Sequence, residues 1–246
     1  MSHGLFIPGV GIIEKLLNIF FWGFLALESL FFNSDKDFKA MREAMVKTQI
    51  ETRGIKDKRV LKAMLKVERH KFVPLDLAGD AYKDTPLPIG KGQTISQPYI
   101  VALMTELLEL KGDEAVLEIG TGSGYQAAIL AELAKTIYTV EIIPELAERS
   151  KKLLESLGYK NVEVKAGDGW LGWEEHAPFD AIIITCAPEE MPLRLIEQLA
   201  EGGRMVLPIG AGYQELKLIR KTKGAVKIRN IASVRFVPMI KKGESK

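Results

Sequence analysis

Residues 115–141, AVLEIGTGSGYQAAILAELAKTIYTVE, predict a buried strand, a glycine-rich turn, a helix and a second buried strand. Glycine occupies every second position from Gly120 to Gly124, which lets the backbone turn tightly into the helix. Both strands are apolar runs that carry an acid at or near their carboxyl end, Glu118 in the first and Glu141 in the second. The segment therefore predicts one unit of an α/β sheet.

The same alternation of strand and helix continues towards the C-terminus. Its later members are a helix over 144–157, the strand NVEVKAGD ending on Asp168, the strand FDAIIIT, a helix over 192–200 and the strand GRMVLPIG. Residues 181–185 are apolar on both faces, as expected of a central parallel strand covered by helices. Two β-rich runs, 215–220 and 228–238, follow without an intervening helix. We therefore predict an α/β fold: a doubly wound parallel sheet with a C-terminal antiparallel strand or hairpin.

Helices are also predicted ahead of the sheet. The predicted segments are an amphipathic helix over 37–53 broken at Gly54, a second over 57–66, a loop-rich stretch over 72–98 and a helix over 99–110. Long ordered loops are often functional, so 72–98 is a candidate substrate region. We expect an N-terminal extension over 1–35 and one domain over 36–246. That domain comprises a helical and substrate-loop region (36–110), a cofactor-binding core (111–210) and the C-terminal hairpin (211–246).

The apolar stretch 5–32 leaves three alternatives open. It could pack as a helix on the enzyme or a sister subunit, lie in a membrane interface, or act as a signal or span. Its longest charge-free run, 16–27, is about half of the ~20 residues needed to cross a bilayer. No basic segment precedes it and no small-residue cleavage pattern follows, which disfavours a secretory signal. We expect a cytoplasmic protein whose extension can associate with membranes.

Composition excludes several classes of protein. The chain has 246 residues, of which 47% are hydrophobic, enough for one large domain. Lys and Arg total 34, and Asp and Glu total 32. Positive and negative charges are mixed along the chain, which gives no indication of nucleic-acid binding. Cys186 is the only cysteine, so no intrachain disulfide can form. The three histidines lack ligand spacing, and we predict no metal.

The glycine turn and the acids predict a nucleotide-type cofactor site. Ligands of α/β sheets bind at the carboxyl ends of the strands, where Gly120 to Gly124, Glu141 and Asp168 all fall. Glu141 lies about 20 residues beyond the first glycine, where a carboxylate can accept both ribose hydroxyls. Asp168 can accept from an adenine amino group. A NAD site would need G-x-G-x-x-G, whereas Tyr125 occupies the third glycine position.

The chain resembles the protein-L-isoaspartate O-methyltransferases from about Met45 to Pro238. The resemblance is carried by AYKDTPLPIGKGQTISQP (81–98), VLEIGTGSGYQAAILAEL (116–133), AGDGWLGWEEHAPFDAIIIT (166–185) and QLAEGGRMVLPIG (198–210). It implies a Rossmann-like methyltransferase that binds S-adenosylmethionine and acts on damaged proteins containing L-isoaspartyl residues. The extension 1–35 is outside the family's common core.

The resemblance also implies roles for individual residues. Residues expected to bind the cofactor are Gln93, Thr94, Ile95, Ser96, Glu118, Gly120, Thr121, Gly122, Ser123, Gly124, Glu141, Ile142, Asp168 and Gly169. Thr94, Ile95 and Ser96 are expected to bind the substrate as well, and Ser96 is the expected catalytic serine. The substrate α-carboxylate is ionised at neutral pH, so the reaction needs no general base. Ser96 is thus expected to orient that carboxylate rather than to attack as a nucleophile.

Three other functions are weaker alternatives. A methyltransferase of the same fold could act on a small molecule. A membrane-tethered binding protein could keep the fold and have lost activity, although Glu141 and Asp168 argue against this. A methyltransferase that uses a cysteine nucleophile to methylate cytosine carbons would require Cys186 to be reactive. A lone cysteine is, however, usually a small buried apolar residue. Trp170, Trp173 and His176 are expected to pack rather than to contact the substrate.

Overall fold

A computed structural model of the chain describes residues 37–241 and 243. The predicted extension over 1–35 and its membrane association lie outside these residues. The elements below belong mainly to the second of two compact units, residues 42–246. Among the described residues, none of the helices combines the length and apolar character that a membrane crossing requires.

Six α-helices are described, and most occur where the sequence predicts them. They are α1 (37–45), α2 (Lys58–Lys66), α3 (Pro98–Leu107), α4 (Tyr125–Ala131), α5 (Pro144–Ser156) and α6 (Leu193–Glu197). Helix α1 continues as a π turn over Val46–Ile50 and a 3-10 turn over Glu51–Arg53. The predicted break at Gly54 is confirmed, since this residue ends the turn in the left-handed region at φ 99°. Asp57 caps α2 by accepting a hydrogen bond from the Arg59 amide.

Nine strands lie in the described part of the chain, and they form two sheets. They are β1 (Leu87–Gly90), β2 (Gln93–Ile95), β3 (Ala115–Ile119), β4 (Thr136–Glu141), β5 (Val162–Ala166), β6 (Phe179–Ile184), β7 (Leu199–Ile209), β8 (Gln214–Thr222) and β9 (Ala225–Val234). The large sheet has the order β5-β4-β3-β6-β7-β8-β9. Strands β3 to β7 are parallel, and β8 and β9 add an antiparallel hairpin. The predicted sheet and its C-terminal hairpin are confirmed.

Two predicted segments were wrong in detail. The predicted helix over 192–200 spans only Leu193–Glu197, because Leu199 already pairs with Phe179 and begins β7. The Phe179 amide also donates to the Gln198 carbonyl, at 2.8 Å, so the backbone is already hydrogen-bonded to β6 at residue 198. The stretch 72–98, predicted as loop, contains the hairpin of β1 and β2, in which Leu87 pairs with Ile95.

The core lies on both faces of the central strands. Residues 181–184 of β6 are all buried, as the apolar run predicts, and β3 is buried from Val116 onward. Phe179, Leu195 and Met205 are fully buried in one hydrophobic cluster that also contains Met239 from the C-terminal segment. From β3 the chain proceeds through β4 to β5 on one side, and then returns to β6 and β7 on the other. The strand order therefore reverses between β3 and β6, and this places a ligand crevice at their carboxyl ends.

Candidate active site

A cavity opens at the carboxyl ends of β3, β4 and β6, where the strand order reverses. Most of its wall comes from residues 93–96, 119–123 with Tyr125 and Gln126, 140–142, Gly169, Thr185 with Cys186, and 237–240. The wall includes every residue predicted to bind the cofactor except Glu118, Gly124 and Asp168. Residues at or just after the ends of β3, β4, β5 and β6 thus line one hollow together with β2 and Ser96.

The glycine turn can form this wall only because Gly120 has no side chain. Its φ of 98° is left-handed, and a Cβ atom there would lie 2.6 Å from Oγ1 of Thr185. That hydroxyl is held in place, since it donates to the Gly120 carbonyl at 2.6 Å and to the Ile119 carbonyl at 3.0 Å. The turn is therefore fixed against the end of β6 with its backbone exposed to the cavity.

Glu141 joins the glycine turn to the end of β4. Its side chain is buried and accepts hydrogen bonds from two backbone amides: Gly122 at 2.8 Å and Ile143 at 3.0 Å. Each carboxylate oxygen keeps a second lone pair, so both can still accept from a ligand. This geometry allows Glu141 to bind the two hydroxyls of a ribose.

The segment after β5 contributes Gly169 to the cavity wall, whereas Asp168 does not line it. Asp168 caps a short 3-10 turn by accepting from the Trp170 amide at 2.9 Å, and it is not part of the cavity wall. A Cβ atom on Gly169 would lie 2.4 Å from Cγ2 of Ile119, so the backbone passes very close to β3 here. The adenine contact predicted for Asp168 stays a prediction.

Strand β2 and the following Ser96 also contribute to the cavity wall. Gln93, Thr94, Ile95 and Ser96 line the same hollow as Gly122. Ile95 is buried, whereas Ser96 is half-buried. Arg149 of α5 donates to the Ile89 carbonyl at 2.9 Å, which holds the hairpin against the sheet domain.

A second cavity of 680 Å³ adjoins the first. The two share Thr94, Ser96, Thr185 and Val237. The remainder of its wall comes mainly from 97–103 on one side and from 232–236, at and beyond the end of β9, on the other. Ser96 therefore lies where the two cavities meet, which is the position expected of a residue between cofactor and substrate.

Two of the predicted cofactor residues lie behind the cavity wall. Gly124 is the N-cap residue of α4 and has a φ of 86°, and a Cβ there would lie 3.2 Å from Cδ1 of Leu154. Glu118 is completely buried, and neither carboxyl oxygen has a hydrogen-bond partner among the described residues. Burial raises the pKa of Glu118 to about 8; the Thr139 hydroxyl opposes this rise and the Glu141 carboxylate adds to it.

Cys186 lies in the cavity wall, but its thiol is poorly suited to attack a substrate. Desolvation raises the pKa of this thiol well above its ordinary value, and the Glu141 and Glu118 carboxyls raise it further. Because the thiolate is the nucleophilic form, the protonated thiol is inert at neutral pH. The expected packing role of Trp173 and His176 is confirmed: His176 stacks on Tyr138 with ring centroids 4.0 Å apart, and Trp173 contacts both rings edge-on.

Sequence reasoning missed the contribution of the C-terminal segment. Residues 237–240 line the cavity because this segment pairs with the chain after β6. The Ala187 amide donates to the Val237 carbonyl at 2.8 Å, and the Met239 amide donates to the Ala187 carbonyl at 2.7 Å. Neither stretch carries a motif that could have indicated the pairing. Within the part of the chain that is described, no group of three or more His, Cys, Asp or Glu side chains could hold a metal ion.

Comparisons with known proteins give one consistent result. The sequence model of the family described as "Protein-L-isoaspartate(D-aspartate) O-methyltransferase" matches residues 40–244. Protein-L-isoaspartate O-methyltransferase 2 of Shewanella sediminis is 56% identical over 209 residues, covering 84% of this chain and 85% of its own. The protein-L-isoaspartate O-methyltransferase of Geobacter metallireducens is 56% identical, with 84% and 96% covered.

Solved structures agree in fold. A protein-L-isoaspartate O-methyltransferase structure has a TM-score of 0.73 at 31% identity, and the match covers 80% of this chain and 65% of the solved one. A Plasmodium falciparum structure, described as such an enzyme in complex with S-adenosyl-L-homocysteine, has a TM-score of 0.72 at 26% identity. That match covers 82% of this chain and 99% of the solved one.

Proposed function

Because this chain belongs to the protein-L-isoaspartate O-methyltransferase family, we propose that it methylates the free α-carboxylate of L-isoaspartyl residues in damaged proteins, using S-adenosylmethionine. The observation that carries the proposal is the shared cavity. The glycine turn, Glu141 and the segment from Gln93 to Ser96 line one hollow at the switch point of the sheet. A cofactor and an acceptor held there would be adjacent.

The wall residues fit S-adenosylmethionine. The backbone of Gly120 and Gly122 would hold its amino-acid part, Glu141 its ribose, and Gly169 with Ile142 its adenine. Gly120 and Gly169 line the hollow with backbone atoms alone, so a ligand can approach the chain closely there. When bound, the cofactor supplies an electrophilic methyl group on a sulfonium.

The chain's contribution to the reaction is positional. An α-carboxylate is ionised at neutral pH and is itself the nucleophile, so no side chain has to remove a proton. The Ser96 hydroxyl and nearby loop amides would orient this carboxylate by donating hydrogen bonds to it. The hairpin and the C-terminal segment would exclude water, which frees the carboxylate of its hydration shell and aligns it for attack.

The larger cavity is our candidate for the peptide site. It joins the first cavity at Ser96 and Thr94, and its volume of 680 Å³ is within the range of cavities that hold ligands. One side of it is formed by largely exposed residues at and after the C-terminal end of β9. Such a surface suits an extended, flexible peptide recognised through its backbone. We therefore expect little selectivity for the side chains that flank the isoaspartyl residue.

Methylation would start the repair, and the substrate would complete it without the enzyme. The methyl ester has a better leaving group than the free acid, so the neighbouring backbone amide nitrogen attacks the ester carbonyl and expels methanol. A succinimide ring results, and its hydrolysis returns part of the chain to normal aspartate. We further propose that residues 36–246 form the single methyltransferase domain and that the protein works in the cytoplasm.

The function is tested by supplying methyl-labelled S-adenosylmethionine and a pair of peptides of identical sequence, one isoaspartyl and one aspartyl. We expect base-labile label in the isoaspartyl peptide alone. Equal labelling of both peptides, or label only in small carboxylic acids, would refute the proposed substrate. This second result would favour the small-molecule methyltransferase alternative.

The role of Ser96 is tested by Ser96→Ala with the isoaspartyl peptide. Removing one hydrogen bond to a charged acceptor typically costs ~1.5–3 kcal/mol, so kcat/KM should fall roughly 10- to 150-fold. Ser156→Ala is the matched control, because this exposed hydroxyl at the end of α5 bonds only to the Leu153 carbonyl among its described partners. Unchanged kcat and KM in Ser96→Ala would remove Ser96 from the mechanism.

A further inference from the structure

Glu118 is an anomaly in the described structure. Its carboxyl group is completely buried on β3, one residue before the cavity wall begins at Ile119, and neither oxygen has a hydrogen-bond partner among the described residues. An ionised carboxylate in such a position loses its hydration without compensation, at a cost of several kcal/mol. The neutral acid is therefore the form that this position favours in the ligand-free chain.

The groups around Glu118 leave burial as the dominant effect on its protonation. From β4, the Thr139 hydroxyl lowers the pKa of Glu118, and the Glu141 carboxylate raises it to a smaller extent because it carries the same sign of charge as an ionised Glu118. From the end of β6, the Cys186 thiol is coupled to both acids and is itself protonated. Burial outweighs these neighbours and raises the pKa of Glu118 to about 8. The position offers an acid that a nearby positive charge can convert into an anion.

We propose that Glu118 is a specificity-determining residue that distinguishes S-adenosylmethionine from its demethylated product through the sulfonium charge. In the ligand-free chain Glu118 is a neutral acid, and on cofactor binding it releases its proton to solvent and becomes the counter-ion of the cofactor. No covalent bond to carbon or sulfur changes in this step. The product lacks the sulfonium charge, so its binding stabilises the ionised form of Glu118 less than binding of the cofactor does. This inference rests on the proposed function.

Ionisation of Glu118 on cofactor binding makes the affinity for S-adenosylmethionine depend on pH. Since the cofactor binds the ionised form of Glu118, its affinity should rise with pH while the free chain keeps the acid neutral. Between pH 6 and 7 the rise should approach tenfold for one released proton. Both ligands carry an α-amino group, and α-amino groups titrate above this window. The affinity for S-adenosylhomocysteine should change by less than about threefold over the same window, on the same linkage.

The test is calorimetric titration of the full chain with each ligand at pH 7, in two buffers of different ionisation enthalpy. The difference in apparent enthalpy counts the protons released. With a pKa of about 8 in the free chain, we expect about 0.9 proton per S-adenosylmethionine and less than half of that per S-adenosylhomocysteine. This comparison uses the native sequence and needs no activity measurement.

Glu118→Gln keeps the shape of the neutral acid and removes its proton. We expect this variant to bind S-adenosylmethionine at least tenfold more weakly, to release almost no proton, and to keep its affinity for S-adenosylhomocysteine within about threefold. Glu148→Gln is the control, because Glu148 is exposed on α5 and pairs with Lys152. It should behave like the native chain. Thermal unfolding of each variant checks that it folds.

The possible results are distinguishable. Tight binding of S-adenosylmethionine without proton release, or equal release with both ligands, would overturn the role of Glu118 and leave the proposed function intact. Unchanged proton release in folded Glu118→Gln would overturn it as well. If the native chain does not bind S-adenosylmethionine, the proposed function itself fails, and the inference fails with it. Should Glu118→Gln not fold, the native proton counts decide alone.

Discussion

Gly120→Ala should damage both the stability of the domain and its cofactor site. The residue has a φ of 98°, and an alanine Cβ would lie 2.6 Å from Oγ1 of Thr185. The left-handed backbone alone costs about 1–2 kcal/mol in a non-glycine residue. Moving the Thr185 hydroxyl would also weaken its two hydrogen bonds, to the carbonyls of Gly120 and Ile119, each worth roughly 0.5–1.5 kcal/mol. We expect the free energy of unfolding to fall by about 3 kcal/mol.

The assay is urea unfolding of the ligand-free chain together with calorimetric binding of S-adenosylmethionine. Gly158→Ala is the matched control, because Gly158 has a similar φ of 84° but nothing lies within 4 Å of its would-be Cβ. It should lose only about 1–2 kcal/mol and bind normally, whereas Gly120→Ala should bind at least tenfold more weakly. In the double variant Gly120→Ala, Thr185→Ala the two losses should not add, since the collision is removed. If Gly120→Ala matched Gly158→Ala in both assays, the close packing of the glycine turn on β6 would be refuted as a cause.

Further predictions concern the core, the thiol and the response to pH. Phe179→Ala, at a residue with no exposure in the main cluster, should lower the free energy of unfolding by ~3–5 kcal/mol in urea; a loss below about 1 kcal/mol would contradict its place in the core. Cys186→Ala should keep kcat/KM with an isoaspartyl peptide within about threefold, because the raised pKa leaves the thiol protonated; a loss above a hundredfold would restore the nucleophile alternative. The ligand-free chain should lose stability as pH rises between about 4.5 and 8 relative to Glu118→Gln, because the folded chain keeps a proton there that the unfolded chain gives up. The slope of this difference should reach up to ~1.4 kcal/mol per pH unit in unfolding titrations, and parallel curves for the two proteins would contradict the burial of a neutral acid.

The parallel half of the sheet could be predicted from the sequence because its signal is local. Runs such as residues 181–184 are apolar on both faces, which only a strand covered on both sides tolerates. The position of Glu141 follows equally directly, since it ends β4 and the carboxyl ends of parallel strands meet at one edge. The glycine turn is also a local signal, because only glycine adopts these backbone conformations freely.

The remainder of the site depends on contacts between distant residues. The bridge of Ala187 with Pro238 places the C-terminal segment in the cavity wall, and 51 residues separate the two (238 minus 187). No periodicity or motif encodes such a pairing. The early end of α6 has a similar cause, because pairing of Leu199 with Phe179 overrides the local preference for helix. Sequence placed Glu118 beside the cofactor but could not show that its carboxyl group is buried without a partner.

We expect the two reactants to meet at Ser96, with the cofactor in the hollow lined by the glycine turn and Glu141 and the peptide in the larger cavity that adjoins it. A crystal structure of the full chain with S-adenosylhomocysteine and an isoaspartyl peptide tests this most directly. We predict the ribose hydroxyls on Glu141, the homocysteine part along residues 120–122, and the peptide carboxylate hydrogen-bonded by Ser96 and facing the sulfur. A ribose bound away from Glu141, or a peptide carboxylate seated outside the cavities that meet at Ser96, would contradict the claim.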